Sequence, residues 1–287
     1  MDEHRAATPR IGVPRGLADR AREFASGGLP PAVPRDAATV ILLRQAPDTE
    51  AFLLRRTDAL EFAPGACVFP GGSVDELDGD RQIGWAGRSP AEFAELLGTS
   101  AERARALVCA AVRETFEESG VLLAGPSPAE LVQDTATLAL DRRALLEGSC
   151  SLAELLSRRG LVLRADLLTP WARWVTPEFS PRRFDTWFFA SPMPSGQVTA
   201  VTGGPDHEPA ESVSGSWLKP PDALQAARTG QITLLPPTAV TLAELAAHRD
   251  VASILAQRRV ITPLLPGVVV EDERAWLALP QGTEYPL

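Results

Sequence analysis

A chain of 287 residues with 45% hydrophobic content has ample material for a core, as one large domain or two small ones. A formal net charge of −9 and a pI near 5.0 exclude a protein built to coat a nucleic-acid polymer, which would present a basic face. Cys67, Cys109 and Cys150 are too scattered for a disulfide framework or a zinc cluster, and no apolar run reaches membrane-span length. These features predict a soluble, cytoplasmic protein with reduced thiols, no membrane partner and no nucleic-acid partner. Lys219 is the sole lysine among 28 basic residues, a bias that reflects codon composition, so single arginines carry little information.

The first 36 residues, rich in Ala, Gly, Pro and Arg, are expected to form an N-terminal extension. It holds one short helix in PRGLADRAREFASGG and either packs loosely or belongs to a partner surface. AATVILLRQ (37–45) is a buried strand by its apolar, β-branched run, and EAFLLRRT (50–57) a second, joined through the turn residues APDT. GACVFPGG (65–72) is a third, short strand ended by Pro-Gly-Gly. A helical stretch follows, with SPAEFAELLG (89–98) opening on a Ser-Pro-x-Glu start signal.

The next helix runs over about 100–119, from a cap at Ser100 to a stop at Gly120. VLLA then reads as a strand, and 128–160 holds two more helical pieces. WARWVTP (171–177) and RRFDTWFFA (182–190) are aromatic strands, SVSGSWL a further strand, and two Pro-initiated helices follow to residue 250. The main domain is expected over 37–250, with insertions at about 73–105 and 125–160, and 251–287 as a C-terminal segment packed on it. Strands and helices alternate without a regular βαβ rhythm. That predicts an α/β (α+β) fold, a mixed sheet with helices on both sides.

RETFEESG (113–120) carries the chemistry. At about 100° per helical residue, Glu114, Glu117 and Glu118 share an arc of about 100°, while Val108, Cys109, Val112 and Phe116 face the other way. Three carboxylates so close repel unless cations offset them, and Arg113 offsets one. Such an oxygen-rich stripe suits Mg²⁺ or Mn²⁺. Taken alone it describes a solvated acidic helix face better than a metal site.

Upstream, FPGG (69–72) ends a strand with two glycines that let backbone approach a ligand. Together these segments resemble the box of the Nudix hydrolases, G-x5-E-x7-R-E-U-x-E-E-x-G-U. Arg113, Glu114, Glu117, Glu118, Gly120 and Val121 match, with Thr115 at the position where the pattern wants an apolar residue. The pattern places its Arg 14 positions after its glycine. Here 41 positions separate Gly72 from Arg113, so 27 residues are inserted. The first box Glu falls on Arg105, and Glu102, Asp75, Glu76 or Asp78 are left as substitutes. A long insertion here is similar to the coenzyme A diphosphatase branch of the family, and the resemblance covers about 37–247.

The resemblance implies a Nudix-type α/β/α sandwich with helical insertions that hydrolyses a diphosphate linkage in a nucleotide-type small molecule, with Mg²⁺ or Mn²⁺. It implies Glu114 and Glu118 as principal metal ligands, and Glu117 as a ligand directly or through water. Arg113 would orient Glu114 or, alternatively, touch a phosphate. Gly71 and Gly72 would bring backbone to metal or phosphate. A general base is sought beyond the box in DHEPAESVSGSW (206–217), where Glu211 is favoured over Glu208 and His207 is read as an exposed loop residue. Arg182 and Arg183 pair with Asp185 or Glu178, or meet a substrate phosphate. Trp171, Trp174, Trp187 and Phe188 are read chiefly as sheet core, with base stacking as the alternative. Coenzyme A or acyl-CoA is the expected substrate. NADH, ADP-ribose or a dNTP is the second reading, and a catalytically silent ligand-sensing or interaction module the third. The insertions are expected to lid the site or to form a homodimer contact.

Overall fold

The computed structural model describes residues 10–13, 15–58, 64–201, 212–272 and 274–287. β1 (Arg10–Gly12) leads into α1 (Arg15–Ala25). β2 (Arg35–Ala46) and β3 (Asp48–Arg56) form an antiparallel hairpin closed at Ala46 and Asp48. Val40 to Leu43 are all fully buried, because both faces of β2 are covered. Successive side chains of a strand point to opposite faces. Ala38, Val40 and Leu42 therefore enter one core, and Ile41 and Leu43 enter the other.

β4 (Ala66–Val68) pairs with β3, and β5 (Gly71–Ser73) pairs with β2. The outer edge of β2 is taken by a parallel strand, β10 (Phe184–Pro192), and the outer edge of β3 by β11 (Ser212–Leu218). The segment Ala66–Ser73 must therefore lie between β2 and β3, whose own pairing ends at Leu43 and Ala51. This wedge carries the glycine pair into the middle of the sheet.

Beyond Ser73 the expected continuous helix is absent. The chain makes one short 3₁₀ turn, Glu76–Gly79, and a two-residue strand, β6 (Trp85–Ala86), before α2 (Pro90–Leu97). Asp75 caps the start of this turn through a capping box with Asp78, and the turn ends at Asp80 after four residues. α2 opens on a capping box at Ser89 and ends at Gly98. α3 (Ala101–Ser119) is capped by Ser100 and stopped by Gly120 at φ 72°, a conformation that favours glycine.

The strand expected at VLLA reduces to β7 (Ala124–Gly125). Val121 to Leu123 are fully buried, but Leu122 exchanges both backbone hydrogen bonds with the Gln197 side chain, at 2.9 and 3.0 Å, so no strand partner is required. α4 (Ala139–Leu146) and α5 (Leu152–Arg159) follow, then β8 (Val162–Arg164). β6, β8 and β7 form a small sheet that ties the two inserted regions together.

β9 (Thr169–Val175) and β10 (Phe184–Pro192) are antiparallel, and β10 runs parallel to β2. β11 (Ser212–Leu218), α6 (Pro220–Arg228), β12 (Thr233–Leu234), α7 (Pro236–Ala246), α8 (Val251–Leu255) and β13 (Pro263–Leu264) complete the domain. The main sheet runs β12-β4-β3-β2-β10-β9-β13, with both parallel and antiparallel pairs. α2 and α3 lie on one core, and α6, α7 and α8 on the other, giving an α/β/α sandwich. β14 (Gly267–Glu271) and β15 (Arg274–Ala278) form a hairpin that β1 extends, and α1 packs on it.

Candidate active site

The acidic face of α3 is enclosed rather than solvated. Glu117 is 8% exposed, and Glu114 and Glu118 are partly buried under the wedge. The Gly71 N–H donates to Glu118 Oε2 at 2.7 Å. Gly72 lies so close that a Cβ there would meet Glu114 Oε1 at 2.5 Å. A Cβ on Gly71 would overlap backbone atoms of Ala38 and Thr39. The glycines thus let the wedge press against the box carboxylates: a side chain at 71 would strike backbone, and one at 72 would displace the Glu114 carboxylate.

Arg113 organises the centre. Its Nε donates to Asp78 Oδ1 at 3.0 Å and Nη2 to Asp78 Oδ2 at 2.9 Å. Nη1 donates to Glu114 Oε1 at 2.9 Å and Glu117 Oε2 at 3.1 Å, and Nη2 also reaches the Ser73 carbonyl at 2.9 Å. A guanidinium has five N–H donors, and all five are engaged within the protein. In this arrangement Arg113 meets three carboxylates and the Ser73 carbonyl.

Burial pushes the Glu114 carboxyl up to about 7, with Arg113 opposing and Glu117 adding to the shift. Burial also raises Glu117, against the pull of Arg113. Burial alone would lower Arg113, but the bonds to Asp78 and the charges of Glu114 and Glu117 raise it well above its ordinary value. From α4, Arg142 sends Nε and Nη2 to the Glu117 carbonyl at 3.0 and 2.8 Å. Its burial lowers the guanidinium to about 10 despite Glu117 and Glu118.

Arg105, at the register position of the first box Glu, lies away from this cluster. It reaches the Asp80 carbonyl at 3.3 Å and stacks over Trp85 at 4.9 Å. Glu102 is exposed and pairs with Arg81 at 3.6 Å. Asp78, 2% exposed, is the inserted acid that reaches Arg113. Thr115, in place of the apolar box residue, is fully buried and returns its hydroxyl to the Ala111 carbonyl at 2.6 Å.

The donor set suits a divalent cation in kind. Glu114, Glu117 and Glu118 are hard oxygen ligands, and burial raises Glu114 and Glu117 by withdrawing them from water, a cost that a bound cation offsets. Glu114 and Glu117 turn to Arg113 and Glu118 to Gly71, so among the described residues no three His, Cys, Asp or Glu side chains converge as a metal cluster. Side-chain rotation on the fixed helix would be needed to bring them together.

Other expected residues fall elsewhere. His207, Glu208 and Glu211 lie outside the described residues. The expected pairing of Arg183 with Asp185 or Glu178 is replaced. Arg183 donates to the Thr176 and Ala32 carbonyls at 3.0 and 2.6 Å, because Arg173 and Arg103 already hold Asp185. Trp171, Trp174, Trp187 and Phe188 are buried in the two cores and present no ring face to a base. Sequence reasoning did not find Arg142. It lies in an insertion outside the box pattern, and only the fold brings it to Glu117.

The model of the NUDT19 Nudix domain matches residues 91–245. The acyl-coenzyme A diphosphatase NUDT19 of Gallus gallus is 28% identical over 265 residues, covering 74% of this chain and 68% of that protein. Its Homo sapiens counterpart is 29% identical over 234 residues, covering 67% and 60%. The match to that relative therefore spans less than two thirds of its length. A solved Nudix hydrolase from Alicyclobacillus acidocaldarius superposes with a TM-score of 0.65 at 28% identity, covering 80% of this chain and 98% of that one. The family model matches more than half of the chain, and the chain belongs to the Nudix hydrolase family, with a Nudix domain of the NUDT19 type.

Proposed function

We propose that the protein hydrolyses the diphosphate linkage of coenzyme A or an acyl-coenzyme A, using Mg²⁺ or Mn²⁺. The observation that carries this reading is the desolvated carboxylate face of α3, where burial raises Glu114 to about 7 and Glu117 above its ordinary value. Carboxylates held this way favour an incoming cation. A diphosphate, itself anionic, needs that same cation to approach them. The names of the NUDT19 relatives favour acyl-coenzyme A as the substrate class.

Glu114, Glu117 and Glu118 would hold the ion, which when bound neutralises the diphosphate and acidifies an attacking water. Arg113 fixes Glu114 and Glu117 in orientation from one guanidinium nitrogen. The Gly71 N–H holds Glu118 against the wedge. Arg113 and Arg142 supply positive charge within the protein, which lets an acidic chain receive an anionic substrate. Glu211 is proposed as the general base that takes the proton of the attacking water.

The test is a panel of coenzyme A, acyl-coenzyme A, NADH, ADP-ribose and dNTPs with Mg²⁺ or Mn²⁺, comparing wild type with Glu118→Gln. Metal-dependent cleavage of coenzyme A or its acyl ester is expected, falling at least ~100-fold in the variant. Cleavage of another panel member alone would move the substrate assignment. Tight nucleotide binding without hydrolysis would favour a ligand-sensing module. Full activity in Glu118→Gln would remove Glu118 from the metal site.

A further inference from the structure

The last turn of α3 carries two of the box carboxylates, Glu117 and Glu118, but contains no basic residue of its own. A helix leaves its final carbonyls without intrahelical partners, and its C-terminus favours a cation. Here the missing cation arrives from the insertion. Arg142 spends two N–H groups on the Glu117 carbonyl, from a position 25 residues later in the chain. The Ala200 N–H takes the next-but-one carbonyl, that of Ser119, at 2.7 Å.

The helix that carries Arg142 is tied to its neighbour. The neighbouring Asp141 is 4% exposed and receives Arg158 Nη2 at 2.5 Å, with Arg159 Nε and Nη2 at 2.9 and 2.6 Å. Those arginines lie on α5, so α4 is fastened from behind while its next residue reaches α3. Gly120 adds a second constraint, because a Cβ there would stand 3.0 Å from Arg142 Nη1. The box glycine therefore serves two ends at once. It takes the left-handed cap conformation, and it leaves room for the guanidinium.

We propose that Arg142 is a positioning residue for the hydrolysis: it locks the last turn of α3, so that the backbone from which Glu117 and Glu118 turn to the cation and the diphosphate is fixed. This rests on the reading of α3 as the metal-binding helix. The inserted segment 125–160 then acts as a brace of the active site, with Arg142 as its point of contact. Arginine suits the task because its planar fork places two donors on one oxygen, which an ammonium does not reproduce.

The experiment measures Mn²⁺ binding by calorimetry without substrate, thermal melting, and kcat and KM on whichever panel substrate wild type cleaves. Arg142→Met, Arg142→Lys and the exposed neighbour variant Arg143→Gln are compared. Arg142→Met is expected to weaken Mn²⁺ binding and lower kcat by ~10-fold each, with KM little changed, on the scale of losing an outer-shell partner. Arg142→Lys should fall between Met and wild type, and Arg143→Gln should match wild type. A folded Arg142→Met whose Mn²⁺ affinity and kcat match wild type, or whose Mn²⁺ binding tightens, overturns the proposal. Should the Met variant not fold, the Lys variant decides: values equal to wild type overturn the proposal, and a loss of ~3-fold or more supports it. Wild type that binds no Mn²⁺ overturns the metal reading and this inference together. Wild type that binds and cleaves, beside an unchanged Arg142 variant, removes this inference alone.

Discussion

Asp78 and Arg113 lie 35 residues apart and share two hydrogen bonds, of 3.0 and 2.9 Å, with the carboxylate almost fully enclosed. The pair joins the inserted loop to the interrupted box and leaves Arg113 free to hold Glu114 and Glu117 with its remaining nitrogen. Removing one partner of a buried pair costs about 3–5 kcal/mol when the other charge is stranded. Arg113 retains Glu114 and Glu117, so Asp78→Ala is expected at or below the low end, about 2–3 kcal/mol in urea unfolding. Activity should fall at least ~10-fold as the guanidinium reorients. Glu102→Gln, at an exposed position, should change neither.

The two glycines of the wedge should respond differently to the same substitution. A Cβ on Gly71 meets backbone, which cannot yield, so Gly71→Ala should destabilise by about 1–3 kcal/mol. A Cβ on Gly72 meets only the far end of Glu114, which can swing away. Gly72→Ala should therefore keep most of its stability in a thermal melt and lose metal-dependent turnover instead. Equal melting losses in both variants would contradict this geometry.

Glu114 makes the site pH-dependent, with a sign fixed by its raised carboxyl. The group lies near 4.5 in the unfolded chain and about 7 in the fold, so the folded protein holds the proton more tightly. Its contribution to metal-free stability is fully present below about 4.5 and is lost as pH rises through about 7. Binding of Mn²⁺ requires the carboxylate, so the affinity measured by calorimetry should rise about tenfold from pH 6 to pH 8 and level off above. A flat affinity over that window would take Glu114 out of the ligand set.

The three thiols should differ in reactivity. Burial raises Cys67, and it pushes Cys109, fully enclosed in α3, up to about 12. Cys150 is only partly buried. One equivalent of thiol should react with a disulfide reagent in the native protein, mapping to Cys150 by peptide mass. The other two should react only on unfolding.

Local signals were strong enough to be read without a fold. The Ser100 cap and Gly120 stop bound α3 because capping chemistry acts over one turn. The spacing of Glu114, Glu117 and Glu118 put them on one face because helical geometry leaves no choice. The apolar, β-branched run of β2 matches its burial on both faces. VLLA misled because a glutamine side chain from residue 197 replaces the expected strand partner, and periodicity carries no trace of such a long-range bond.

By itself the sequence determined the α3 helix and its acidic stripe, since both follow from interactions between residues a few positions apart. The sandwich was legible only through the order of its elements and the family resemblance. Only the tertiary structure decided that the stripe is enclosed, that Asp78 rather than Glu102 reaches Arg113, and that Arg142 grips Glu117. These depend on how inserted segments return to the domain. Such returns are set by the packing of whole elements, in which many weak contacts between distant residues act together and no single residue pattern records the result.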